Sequence, residues 1–175
     1  MQAPAIPADE ADRVETLRQL LVLDTPAEDR FDNITSYAQS QFGAPIVLVS
    51  LVDTNRQWFK SSCGLDASQT SREISFCGHA ILHDDIFEIP NALNDERFAN
   101  NPLVTGAPKI RFYAGAPLTM SNGQRVGTLC LISPAPKRLD AWEKQHLKAL
   151  ARLVAMELQG QSAAEELITL KHQVR

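Results

Sequence analysis

Residues 75–83 read SFCGHAILH and place a thiol, two imidazoles and a hydroxyl within one short stretch. Three chemistries use such groups. His79 and His83 are four residues apart, so on a helix they share a face and make a usable pair of metal ligands. Cys77 would be the third ligand, but on the same helix it points about 200° away from His79. The three converge only if the helix unwinds, and the chain has no CxxC and no second HxxxH. No metal is therefore expected. Redox chemistry would use Cys77, because the helix dipole favours the thiolate of a cysteine in the first turn. The third chemistry is recognition. Ser75, Phe76 and His79 would face a small-molecule pocket with Cys77 beside them, and Gly78 would let the helix approach a sheet closely. The plainer alternative is that the stretch covers a sheet face and binds nothing.

A second set of candidates lies downstream. Arg111 and Tyr113 share one face of a strand, and Phe112 and Ala114 share the other. A buried arginine is costly unless paired, so Arg111 calls for an anionic ligand or a carboxylate, with Asp95 and Glu96 nearby in sequence. Asn91, Asn94 and Arg97 can supply polar contacts, although ordinary capping also accounts for Asn94.

The elements that must position these groups follow from periodicity. A helix begins at Asp9 with Val14, Leu17, Leu20 and Leu21 on one face. Thr25, Pro26 and Glu28 then read as a capping box opening a second helix, with Phe31, Ile34, Tyr37, Ala38 and Phe42 inward and Gly43 as its stop. PIVLVSLVD is a strand apolar on both faces, and RQWFKSSCG returns as the partner of a hairpin. Residues 65–73 read as a polar loop, SFCGHAILH as a short helix and IFEIPNA as a strand. Residues 93–109 form a long excursion with one helical turn near Asp95 to Ala99. IRFYAGAPL and RVGTLCLIS are the last strands, joined through Asn122-Gly123. Asp140 caps a final helix with two stripes. Leu147, Leu150, Val154 and Leu158 suit a sheet. Trp142, His146, Ala149, Leu153, Met156, Gly160, Ala163, Leu167, Leu170 and Val174 form an a/d seam. With no cap at its end, this helix is expected to continue into a longer chain.

Composition narrows the classes. The 175 residues are 44% hydrophobic and 22% charged, with net charge −4 and no run of Lys or Arg, which argues against nucleic-acid binding. Three irregularly spaced cysteines do not make a disulfide framework. No secretory leader and no apolar run of roughly 18 residues is present. A reduced, cytoplasmic setting with no membrane span in this segment is expected.

The order of elements, together with LDTPAEDRFDNIT, IVLVSLVD, QWFKS, SFCGHAI, IRFYAGAPL and VGTLCLIS, resembles a GAF domain over about residues 15–158. The resemblance implies an α+β fold built on a central antiparallel sheet of five to six strands. The N- and C-terminal helices would pack on one face. On the other, a short helix and the long loop would cover a pocket lined by Ser75, Phe76, Cys77, His79, Asn91, Asp95, Arg97, Arg111 and Tyr113. Residues 1–8 would be a disordered tail, 9–158 the domain, and 159–175 a signalling helix extension.

In function, the resemblance implies a sensor. It would bind an unidentified small molecule or respond to redox state, and act through its C-terminal helix in a homodimer on an output domain such as a histidine kinase or diguanylate cyclase. Covalent bilin attachment in the phytochrome relatives uses a Cys followed directly by His; here Gly78 intervenes, so no chromophore is expected. Free methionine sulfoxide reductases share the fold, but the spacing of Cys63, Cys77 and Cys130 does not look like theirs, and Cys130 reads as a small buried hydrophobe. No Ser–His–Asp order, P-loop, GxGxxG or paired carboxylates occur, so the protein is expected not to be an enzyme. The alternatives are the reductase and a ligand-free dimerisation module.

Overall fold

Runs of β-branched residues pair into one six-stranded antiparallel sheet in the computed structural model, ordered β3-β2-β1-β6-β5-β4. The structure describes residues 1–160 in full, and from there the helical backbone to Gln173. The elements are α1 (Glu10–Gln19), α2 (Asp29–Phe42), β1 (Ile46–Val52), β2 (Arg56–Cys63), β3 (Gln69–Ser71), α3 (Cys77–Ala80), β4 (Phe87–Ile89), α4 (Pro102–Thr105), β5 (Phe112–Thr119), β6 (Arg125–Ser133) and α5 (Ala141–Gln173). The fold is α+β, as expected. The two central strands, β1 and β6, are buried along their length apart from Arg125. Val47, Val49, Leu51, Phe112, Ala114, Leu129 and Leu131 face a core closed by α2 and α5. Leu48, Phe59, Tyr113, Cys130 and Ile132 face a second core closed by α3 and the excursion.

Several local signals act as read. Gly43 ends α2 in the left-handed conformation, at φ 61°. Asp140 Oδ1 accepts from the Glu143 N–H at 2.7 Å and Glu143 Oε1 from the Asp140 N–H at 3.1 Å, a reciprocal cap for α5. Leu147, Leu150, Val154 and Leu158 are buried, whereas Trp142, Leu153 and Met156 on the second stripe are exposed. The side chains of Ala163, Leu167 and Leu170, and all of Val174, lie outside the described residues.

Other signals are overridden. Thr25 and Glu28 do not cap α2. Glu28 is extended and makes no capping bond, and both residues instead hold Lys60, whose Nζ lies 2.7 Å from Thr25 Oγ1, Pro26 O and Glu28 Oε2. The cause is an irregularity in the β1–β2 pairing: Val49 pairs with Ser61 but Ser50 with Phe59, so Lys60 is an extra residue. Lys60 and Ser61 then both meet α2 and its approach, where Ser61 Oγ donates to Asp32 Oδ1 at 2.6 Å. Leu21 is exposed because α1 stops at Gln19 and Leu21 turns out at φ 59°. Tyr37 is also exposed, its hydroxyl 3.2 Å from His146 Nε2. The expected loop 65–73 contains the edge strand β3 and a 3₁₀ turn, Arg72–Ile74.

Residues 1–8 do not lie free. The Gln2 N–H donates to Arg97 O at 3.0 Å, and the Gln2 carbonyl accepts from His79 Nε2 at 3.0 Å. Gly78 is placed by this segment rather than by the sheet: a Cβ there would stand 2.6 Å from Pro4 Cγ. The segment leads into a buried charge cluster. Glu10 takes Arg13 Nε and Nη2, each at 2.9 Å, and Arg72 Nη2 at 3.1 Å. Arg13 also donates to Val52 O at 2.7 Å and Arg72 to Asp53 O at 3.1 Å, which ties α1 to the β1–β2 turn and to the approach to α3. Burial alone would push the Glu10 carboxyl up, but the two guanidiniums together hold it down at about 2. The unfolded chain binds this proton more readily, so the stabilisation is present above the ordinary carboxylate pKa and is lost as pH falls through about 2. Glu10→Gln leaves two buried guanidiniums facing each other and should cost about 3 kcal/mol at neutral pH in urea unfolding. The variant should also lose part of the stability change that the parent shows on acidification below its ordinary carboxylate range.

Candidate functional site

Two register pairings place polar groups in the middle of the second core. Ser50 on β1 pairs with Thr128 on β6, and Cys130, two residues further along β6, pairs with Gly115 on β5. Gly115 has no Cβ, and the Tyr113 ring lies over it; a Cβ there would be 2.3 Å from the Tyr113 hydroxyl. Ser75 begins α3: its Oγ donates to Arg72 O at 2.7 Å and accepts from the Gly78 N–H at 3.0 Å. That single turn sets Cys77 onto the polar groups. Cys77 Sγ accepts from Tyr113 Oη at 3.2 Å and from Thr128 Oγ1 at 3.1 Å. Burial pushes the Cys77 thiol up, yet hydrogen bonds with Cys130, Ser50, Thr128 and Tyr113 outweigh it and lower the pKa. Cys130 and Tyr113 are both raised, by burial first and then by Cys77. The network continues sideways, with Ser50 Oγ donating to Gln57 Oε1 at 3.1 Å. Cys130 is thus a partner of Cys77 as well as a buried filler. Cys63 lies apart, donating to Gln39 Oε1 at 3.1 Å.

The excursion supplies the cover. Asp95 accepts from the Arg97 N–H at 3.0 Å and pairs with its guanidinium at 2.8 Å, a tight turn that sends Phe98 inward. Phe76 stacks on Phe98 with centroids 4.2 Å apart, His79 meets Phe98 edge-on at 4.8 Å, and Tyr113 lies 5.2 Å from Phe76. These rings pack against one another beneath the excursion. Arg97 lies over the outer rings, 5.2 Å from the Phe87 centroid.

Of the expected pocket residues, Ser75, Phe76, Cys77, His79, Asp95, Arg97 and Tyr113 assemble around α3. Asn91 and Arg111 serve local backbone instead. Asn91 Oδ1 accepts from the Leu93 N–H at 3.1 Å. Arg111 donates to Val104 O at 3.0 Å and Ile110 O at 3.1 Å, and Asp95 is taken by Arg97. Carbonyls take the place of the carboxylate or anion expected for Arg111, whose side chain is only partly buried. His79 donates through Nε2 to a carbonyl, and its burial lowers its pKa, which keeps it neutral. His83 is exposed. Among the described residues no three His, Cys, Asp or Glu side chains are grouped to hold a metal.

The residues missed in sequence are Ser50, Thr128 and Asn101. The first two stand as lone hydroxyls inside apolar strands, a signal that a buried partner is required. Asn101 is buried and donates from Nδ2 to Ile74 O at 3.0 Å, pinning the excursion to the approach to α3. Tyr113→Phe should cost about 1 kcal/mol and raise the Cys77 pKa, read from the ultraviolet absorbance of the thiolate, since one donor to the sulfur is lost. Gly115→Ala should cost about 1–3 kcal/mol by thermal unfolding, because the tyrosine must move.

The family model for the GAF domain matches residues 26–158. The cyclic di-GMP phosphodiesterase PA2567 of Pseudomonas aeruginosa is 44% identical over 155 residues, which are 88% of this chain and 26% of that protein. The chain therefore spans about a quarter of the length of this relative. Among solved structures, the blue-light absorbing form of the Thermosynechococcus elongatus PixJ GAF domain superposes with TM-score 0.66 at 14% identity, covering 98% of this chain and 99% of that one. The free methionine-R-sulfoxide reductase of Neisseria meningitidis, in complex with its substrate, superposes with TM-score 0.64 at 18% identity, covering 94% and 99%. At those identities the likeness is one of fold. The expectation that the protein is not an enzyme is corrected by the Pseudomonas relative, which is named an enzyme; motifs within a quarter of its length were too narrow a basis for that expectation. With the match covering most of its length, this chain belongs to the GAF domain family.

Proposed function

We propose that this chain is the regulatory input domain of a longer enzyme that acts on cyclic di-GMP. The observation that carries the reading is the 44% identity to a phosphodiesterase of which the chain spans 26%. Input arrives at α3 and the excursion, as a small molecule or a change at Cys77. Tyr113 carries it into β5, where its neighbours Phe112 and Ala114 face the other core and α5. Output leaves along α5, whose 33 residues reach about 50 Å. Exposed Trp142, Leu153 and Met156 support pairing of two such helices in a homodimer. A ligand acts only through its difference in affinity for the two packings. A cytoplasmic setting fits reduced cysteines and a nucleotide second messenger, and no helix among the described residues is long and apolar enough to cross a membrane.

One observation favours a second reading, a ligand-free dimerisation domain: the rings of Phe76, Phe98 and Tyr113 fill the second core. Native mass spectrometry of protein from its own host separates the two, since a co-purifying small molecule is expected only under the first. In the full-length protein, Phe98→Ala should change the rate of cyclic di-GMP hydrolysis severalfold while leaving the output domain folded. An unchanged rate in this variant, and also when the domain is deleted, removes the regulatory reading. Leu153→Glu with Met156→Glu should shift the protein toward monomer in sedimentation.

A further inference from the structure

Residues 1–7, ahead of α1, are largely exposed and without regular structure, yet they make paired contacts with the two elements that form the candidate site. One residue, Gln2, is held on both sides of its backbone. Its N–H goes to Arg97 O on the excursion and its carbonyl takes the His79 Nε2 proton on α3, each at 3.0 Å. Two residues on, Pro4 rests on Gly78, where a Cβ would lie 2.6 Å from Pro4 Cγ and 2.7 Å from Ser75 Oγ. Gly78 is not in the left-handed region, so close approach, not backbone strain, explains the glycine. Beneath these contacts all four residues of α3 are buried, and His79 is only 6% exposed. Beyond Pro4 the hold weakens. Ile6 is 61% exposed, and Ala3, Pro4 and Ile6 border a cleft of about 300 Å³ floored by Arg72 and Thr54. The chain then turns at Pro7, whose carbonyl accepts the Glu10 N–H at 3.2 Å, into the anchored charge cluster of Glu10, Arg13 and Arg72.

We infer that residues 1–6 are an intramolecular lid on the α3 site, hinged at Pro7, and that a ligand must displace them to reach His79 and the rings of Phe98 and Phe87. The contacts have the form of a lid. On the segment's side they use backbone groups and one proline ring, and no side chain of residues 1–6 is buried in the core. Opening also leaves the Glu10 pairs in place, so α1 stays docked while the segment ahead of it swings. A displacing molecule must present what Gln2 presents, an acceptor to His79 and a donor to Arg97, and an amide is the simplest group that does both. The lid depends on α3 and the excursion being the input face. It does not depend on which output domain follows.

Access to His79 can be measured directly with diethyl pyrocarbonate, which acylates neutral imidazole nitrogen, followed by peptide mass mapping. Exposed His83 in the same peptide region is the internal reference. In the parent protein His83 should react and His79 should be protected. Gly78→Val drives a side chain into Pro4, and Gln2→Pro removes the N–H that Arg97 accepts. In each, the rate at His79 relative to His83 should rise about tenfold or more, as local opening replaces a closed lid, with the thermal midpoint of Gln2→Pro unchanged. Gln2→Pro decides the matter if Gly78→Val disturbs α3. A His79 to His83 ratio that is the same in parent and Gln2→Pro overturns the lid, and so does a parent in which both histidines react alike. Neither result bears on cyclic di-GMP hydrolysis, so failure of the lid and failure of the regulatory reading remain separate.

Discussion

Strands β1 and β6 have to be kept from water on both sides, and most of the architecture follows from that constraint. Seven of seven residues of β1 are buried, and apolar surface of this kind contributes about 25 cal/mol per Å² when covered. Helices α2 and α5 cover one side with ordinary amphipathic stripes. The other side receives only one turn of α3 and an excursion with little repetitive hydrogen bonding. A covering made of irregular chain must satisfy its own backbone groups. That requirement explains why Ser75, Asn91, Asp95 and Asn101 all accept local N–H groups there. Their primary role is to let a loop behave as a lid on a sheet.

Polar groups trapped by the same enclosure are placed in sets. A lone buried hydroxyl or thiol forfeits its water for about 1–3 kcal/mol. Ser50, Thr128, Tyr113, Cys77 and Cys130 avoid most of that by meeting one another at the centre of the second core. Glu10, Arg13 and Arg72 do the same at the edge, and Lys60 does so with Glu28 and two oxygens on the other face. Such sets respond as units. Cys77 has four such neighbours on three strands, so under the proposed reading a change of protonation or oxidation there would reach all of them.

The two faces then have different characters. The helix face is simple packing and carries the exposed stripe of α5. The α3 face holds the lowered thiol, a neutral buried histidine and an aromatic stack, closed by a segment held through backbone contacts. Under the regulatory reading proposed above, the first face would position the output helix and the second would be the one to repack.

The family, five of the six strands, the helix stop at Gly43 and the cap at Asp140 were legible in the sequence. They depend on residues close together in the chain, where turn geometry and side-chain period act directly. The grouping of Ser75, Phe76, Cys77, His79 and Tyr113 was expected from the family resemblance, while strand alternation by itself left open which face of β5 Tyr113 would take. Contacts between distant segments were not legible. Nothing local says that an extra residue in β2 sends Lys60 to Glu28, that Ser50 meets Thr128, or that Gly78 makes room for Pro4. Those pairings depend on register and on which segment reaches a gap first in three dimensions. The amino-acid order decided what each stretch prefers to be, and only the closed tertiary structure decided which buried polar atom finds which partner.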